Sequence, residues 1–189
     1  MPYQLEFSEE RALHELWAGD HSRHKGPGAE LRRAYDALLD ISICPDSEAA
    51  VLELRRLYLQ SFHAYGRGDL QGAELLAASV THLCRATWLD AKVDYLLEHF
   101  EDLPHVPGLN TPNVTRVIEA GLSEIESRLA RLKLTGLADR FGTKARQHLD
   151  TILSMNERNN LMADTHLKAA FEYCLATEAL HSLEFRSVA

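Results

Sequence analysis

The residues of this chain best suited to chemistry lie on two predicted helices, one near its middle and one near its end. Glu178 and His181 stand three residues apart, as Glu-x-x-His. Because a helix turns once in about 3.6 residues, this spacing places the carboxylate and the imidazole on one face. We expect that face to be otherwise apolar, because it also carries Leu167, Phe171, Cys174 and Phe185. Bundles that hold iron or manganese use the same pair, since both side chains reach one cation from a single turn. His82 interrupts a long apolar stripe and is the third candidate ligand if its helix packs against that of Glu178.

Two interpretations of these three residues stay open. In the first, His82, Glu178 and His181 bind one divalent metal ion; a dinuclear site would need a second such motif, which the sequence lacks. In the second, His82 is a core histidine that is hydrogen-bonded to Glu178, and no metal or other cofactor is expected. One Glu-x-x-His is a motif of low specificity, so the sequence favours the second.

Charged residues are segregated along the chain. A ridge of acids recurs on one side of the predicted helix 70–101, and segment 128–148 is basic, with six cations and one acid. The acidic patch comprises Asp90, Asp94, Glu98 and Glu101, and the basic patch comprises Arg128, Arg131, Lys133, Arg140, Lys144 and Arg146. Both patches are candidate contacts for an oppositely charged partner. Each also has the simpler interpretation of a helix face that water solvates.

A third cluster of ligand types occurs in the stretch GDHSRHKGPG, residues 19–28, which carries Asp20, His21 and His24. These side chains could bind a metal ion. The stretch has neither a strict ligand spacing nor the GxxxxGK[ST] motif that cradles phosphate after a strand. We therefore interpret it as a polar turn.

Motifs for nucleophilic catalysis are absent from the sequence. There is no GxSxG and no HExxH. The three cysteines stand far apart, in no CxxC pairing, at Cys44, Cys84 and Cys174. This pattern is typical of free thiols in a reducing compartment. The absence of catalytic motifs favours a protein that is not an enzyme.

Composition limits the kinds of partner. The net charge of −8 and the pI near 5.7 disfavour a nucleic-acid partner, which requires a basic face. No window approaches about eighteen uninterrupted apolar residues, so neither a membrane span nor a membrane partner is expected. The first residues are acidic and lack a charged-then-apolar leader, so we expect no secretory signal. A cytoplasmic protein is the expectation.

The spacing of apolar residues predicts an all-α fold. Leucine and alanine dominate, and apolar positions recur every three or four residues nearly throughout. About seven helices are predicted, over roughly 8–20, 29–43, 47–65, 70–101, 112–134, 137–157 and 164–186. Helix 70–101 has an apolar stripe along its whole length and a second, from Ala73 to Leu83, along its first half only. We therefore expect it to be the central helix of a bundle.

The run SFHAYGRGDLQGAELLAASV predicts an αα-hairpin, with Gly66 as a left-handed stop and Asp69 as the cap of the next helix. With Tyr65, Gly68 and Ala73, this run resembles the helix–turn–helix of tetratricopeptide repeats. The resemblance covers one hairpin and is not repeated, so it implies close helix packing and nothing further.

The sequence thus predicts a single all-α domain over residues 1–189 and leaves two functions open. The first is a non-catalytic interaction or regulatory module whose partner is a protein or a second copy of itself, in a homodimer. Two features support it: the helices carry more apolar surface than one bundle core needs, and acidic and basic residues are segregated along the chain. The second is a metal- or cofactor-binding bundle protein, with its site between the helices that carry His82 and Glu178/His181.

Overall fold

The structure is a computed structural model that describes residues 26–44, 47–99, 112–155 and 160–186. Six helices make up nearly all of this part of the chain: α1 (Pro27–Ile41), α2 (Glu48–Gly66), α3 (Leu70–Glu98), α4 (Pro112–Ala130), α5 (Gly136–Ser154) and α6 (Asn160–Arg186). No strand occurs among the described residues, and the all-α prediction is confirmed. The predicted helix 8–20 and most of the polar stretch 19–28 lie outside them. None of the six helices is long and apolar enough to cross a bilayer.

Two long helices, α3 and α6, form the centre of the bundle. Their mutual contact is the most extensive in the described chain. Helices α1 and α2 flank α3, whereas α4 and α5 flank α6 and barely touch each other. The sequence predicted the central position of α3, but it did not single out α6 as its equal.

Helix α3 is buried on two sides along its first half, as the double stripe predicts. Ala73, Val80 and Leu83 are at most 1% exposed. Small residues allow α2 to approach closely here, and Ser61 Oγ donates a hydrogen bond across the hairpin to the carbonyl oxygen of Ala73 at 3.1 Å. The close packing implied by the tetratricopeptide resemblance is therefore present in this hairpin.

The turn between α2 and α3 differs from the prediction in its left-handed residue. Gly66 remains helical, and Gly68 adopts the positive φ of 82° instead. The helix can continue through Gly66 because the backbone N–H groups of Arg67 and Asp69 still reach carbonyl oxygens of the last α2 turn, including that of Ala64. Asp69 is the predicted cap: its carboxylate accepts the N–H of Gly72 at 3.0 Å.

Helix α6 begins one turn before the predicted start at Asp164, and its buried face differs from the prediction. The predicted face included Phe171 and Phe185, which are 38% and 53% exposed. The core side is instead dominated by small residues, among them Ala163, Thr165, Ala169, Ala170, Ala176 and Thr177. These residues permit α3 and α5 to pack closely on α6. A prediction based on bulky apolar side chains does not identify this face, because its residues are small.

Truncating the core side of α3 should destabilise the protein far more than truncating its solvent side. Leu83 is 1% exposed and Leu97 is 60% exposed on the same helix. We expect Leu83→Ala to lower the free energy of unfolding by about 2–5 kcal/mol and Leu97→Ala to change it by no more than about 0.5 kcal/mol. Urea unfolding of both variants measures this difference, and equal losses would contradict the orientation of α3.

Candidate functional site

The three predicted metal ligands do not form one site. His82 Nδ1 lies 2.6 Å from Glu172 Oε2, and both side chains are half-buried. The prediction that His82 bonds Glu178 is wrong in its partner, because α3 and α6 pack in an antiparallel register that brings Glu172 level with His82.

Glu178 is paired with α4 instead. Arg128 donates from Nε and Nη2 to the two carboxylate oxygens of Glu178, both at 2.8 Å, and this bidentate bond raises the pKa of Arg128. His181 packs against the Phe185 ring, and its buried Nε2 has no hydrogen-bond partner within the described residues.

The side of α6 that carries Glu178 faces α4. The ring of Phe171 lies beneath the Arg128 guanidinium at 5.5 Å, and Gly121 of α4 stands directly against the Leu167 side chain. Throughout the described part of the chain, no group of three or more histidine, cysteine or acidic side chains is arranged to hold a metal ion.

Several residues of the acidic and basic patches form ion pairs or hydrogen bonds inside the protein. Arg128 bonds Glu178, Arg140 forms a bidentate pair with Glu53, and Arg131 donates to Ser127. Lys133 and Arg146 are exposed. In the acidic patch, Asp94 and Glu98 are exposed, and Glu101 lies outside the described residues. The remaining members of the two patches, Asp90 and Lys144, meet each other.

Asp90 is the centre of a polar network that joins α3, α5 and α6. Tyr173 donates its hydroxyl hydrogen to Asp90 Oδ2 at 2.6 Å, and Lys144 Nζ donates to the Tyr173 oxygen at 3.1 Å. His148 Nε2 lies 3.0 Å from Asp90 Oδ1, and this oxygen has no other partner within the described residues. His148 Nδ1 lies 2.8 Å from His166 Nδ1. We call these five residues the Asp90 network.

Hydrogen atoms can be assigned for the neutral state of the His148–His166 pair, because the contact between the two Nδ1 atoms needs one donor and one acceptor. A carboxylate oxygen only accepts, so Nε2 of His148 carries a hydrogen toward Asp90. Neutral His148 then accepts at Nδ1, and His166 donates from its own Nδ1. The Nε2 atom of His166 is left with a lone pair. Burial, and then the nearby His148, lower the pKa of His166 and favour this neutral form.

The network opens on a groove between α3 and the C-terminal half of α5. Its volume is about 670 Å³. Asp94 and His166 lie on its wall, and its apolar lining comprises Val93, Leu97, Met155 and Met162. We call it the His166 groove.

A second groove, of about 710 Å³, lies on another side of α3, against α1. Its floor includes Ala37, Ile41, Cys84 and Leu89. Two large apolar residues also line it, namely Ile43, which is 85% exposed, and Trp88, which is 49% exposed. We call it the Trp88 groove.

Sequence reasoning missed His148, His166 and Tyr173. One signal was present, because His166 and Tyr173 stand seven residues apart, two turns along one face of α6. That face is otherwise built of small residues and carries no recognised motif. Comparison with protein-family models, with curated proteins and with solved structures finds no significant match.

The low pKa of His166 should make the protein less stable in mild acid. Unfolded histidine titrates near pH 6.5, so below that pH the unfolded state binds a proton that the folded state resists. The contribution of His166 to the free energy of unfolding is therefore fully present above about pH 6.5. It declines as the pH falls toward the pKa of His166 in the folded state, by at most about 1.4 kcal/mol per pH unit for one proton. We expect His166→Gln to reduce this dependence, as measured by urea unfolding at about pH 7.5 and 5.5.

The control for this experiment is His63→Gln, because His63 is exposed on α2. This variant should retain the wild-type pH dependence. Asp69, whose pKa is lowered chiefly by the N–H of Gly72, titrates below its ordinary 3.8 and does not contribute in this range. An unchanged pH dependence in His166→Gln would contradict the assignment.

The thiols should differ in reactivity. Burial raises the pKa of Cys84 to about 12 and that of Cys174 to about 11, whereas Cys44 is less buried. At about pH 8 a thiol of such high pKa contains almost no thiolate. We expect Ellman's reagent to label at most Cys44 in the native protein and all three cysteines after unfolding. Rapid native labelling that survives Cys44→Ser would contradict this.

Proposed function

We propose that this chain is a non-catalytic helical interaction module that self-associates through the Trp88 groove. The observation that carries the proposal is the exposure of Ile43 and Trp88 beside an apolar floor. Contiguous exposed apolar surface of this kind is typical of protein contacts. Tryptophan is also among the residues that most often dominate binding energy at interfaces.

The charges at the groove favour a second copy as the partner. A two-fold interface brings a patch against itself, so it must carry both charge signs in complementary positions. Arg85 and Asp40 both line the Trp88 groove. Arg85 is more than half exposed, and its ion pair with Glu172 is long, at 3.9 Å. Asp40 has no ion pair within the described residues, so Arg85 of one copy and Asp40 of the other can pair across a two-fold axis.

Other charged residues of the groove already form pairs within the chain. Arg33 and Asp36, which line it as well, already pair along α1 with Glu30 and Arg32. Exposed pairs of this kind contribute little to stability, and they can rearrange at an interface. The apolar residues and the Arg85–Asp40 pair are therefore the features on which association should depend.

Sedimentation equilibrium from micromolar to hundreds of micromolar protein tests the proposal. We expect a concentration-dependent dimer that Ile43→Asp weakens at least about tenfold, because a buried carboxylate replaces an apolar contact. The matched control is Val117→Asp on α4, since Val117 is 68% exposed and lies away from the groove. This control should dimerise like the wild type.

A charge reversal adds specificity to the test. Arg85→Glu should weaken the dimer, and combining it with Asp40→Lys should restore association, because the pair is re-formed with opposite signs. A wild type that stays monomeric at every concentration would contradict self-association. A dimer that survives Ile43→Asp unchanged would exclude the Trp88 groove as its interface.

A further inference from the structure

We propose that the His166 groove binds a small amphipathic amine, whose ammonium group is held by His166 and Asp94 and whose apolar body packs on the groove lining. This proposal is independent of self-association, because it concerns different residues on a different side of α3. It rests on an unused acceptor, an unpaired carboxylate and an apolar surface that adjoin one another.

The unused acceptor is His166 Nε2. The side chain is buried, at 6% exposure, and it lines the groove. Its Nδ1 is engaged by His148, whereas Nε2 has no hydrogen bond within the described part of the chain. In the neutral state assigned to the His148–His166 pair this nitrogen atom has a lone pair, so it accepts a hydrogen bond from a bound group that carries N–H.

The second feature is the charge balance of the groove. Asp94 lines it and is exposed, and it forms no ion pair with any described residue. Lys144, which also lines the groove, is already held by Tyr173 and lies 3.8 Å from Asp90. The groups left to meet a ligand are therefore an acceptor and a carboxylate. A cationic nitrogen satisfies both, whereas an anion would be repelled by Asp94.

The third feature is the apolar lining. Val93 and Met162 belong to a small cluster, separate from the main core, against which Met155 packs. Methionine side chains adapt to ligands of varied shape. The volume of about 670 Å³ lies within the range of about 300–1,000 Å³ that is common for small-molecule sites. An amine that fits therefore carries a hydrocarbon body of several carbon atoms.

Proton uptake by the His148–His166 pair should oppose binding. The groups that face this pair are Asp90 and Asp94 from α3, Lys144 from α5 and Tyr173 from α6. Once the pair gains a proton, Nε2 of His166 carries hydrogen, cannot accept and repels an ammonium group. Affinity for an amine should therefore fall as the pH drops below about 6.

The test uses phenethylamine and n-hexylamine as probes, with phenethyl alcohol as the neutral analogue and 3-phenylpropionate as the anionic one. Binding is followed by NMR shifts of the His166 ring in the full chain. We expect both amines to shift these resonances saturably and the two analogues to have no such effect. Asp94→Asn should weaken binding about tenfold through loss of a charge-assisted hydrogen bond. Both Asp94 and the control residue Glu98 are exposed on α3, so both variants should fold.

The control is Glu98→Gln, which removes an acid from the same ridge, one turn further along, and should leave binding unchanged. Several outcomes would overturn the proposal. One is the absence of any His166 shift with either amine at millimolar concentration. Another is equal weakening of amine binding by Asp94→Asn and Glu98→Gln, which would show that the amine is attracted by the acidic patch as a whole and not by Asp94. Tighter binding of 3-phenylpropionate, or a response to stoichiometric Zn²⁺ with no response to the amines, would assign the groove to a different ligand.

Discussion

The antiparallel register of α3 and α6 is the constraint on which the rest of this protein depends. Two contacts at different heights define it, namely the His82–Glu172 bond and the packing of Val93 on Met162. Small residues along α6 allow the two helices to approach closely, and a shift of one turn would place larger side chains at these positions. The remaining helices pack on this pair, two on each of its members.

The same register determines where polar chemistry can occur. It directs Glu178 away from α3 and toward Arg128 of α4. It also brings Asp90 to the junction of three helices, where Tyr173 and His148 meet its carboxylate from α6 and α5. The functional groups of the core are thus assembled from distant parts of the chain. The two grooves lie on different sides of α3, so a partner in one does not occupy the other.

Much of the fold could be predicted from local pattern, and much less of the site. The all-α class, the central position of α3 and the cap at Asp69 follow from spacing and turn chemistry, which act within a few residues. The buried face of α6 was misjudged because alanine and threonine mark close approach without adding bulk. The partner of His82 could not be predicted, because helical periodicity gives a face and not the register between two helices. For the same reason, His148 and His166 gave no local sign that they would pair.

The most direct test of this account is the protonation of His148 and His166 at neutral pH. Long-range proton–nitrogen NMR correlations distinguish the two neutral tautomers of histidine from the cation. The account predicts hydrogen on Nε2 of His148 and on Nδ1 of His166, because Asp90 orients the first ring and the first ring orients the second. Hydrogen on Nε2 of His166 at neutral pH, or a pKa of His166 that is not lowered, would contradict the hydrogen positions assigned to the Asp90 network and the acceptor proposed in the His166 groove.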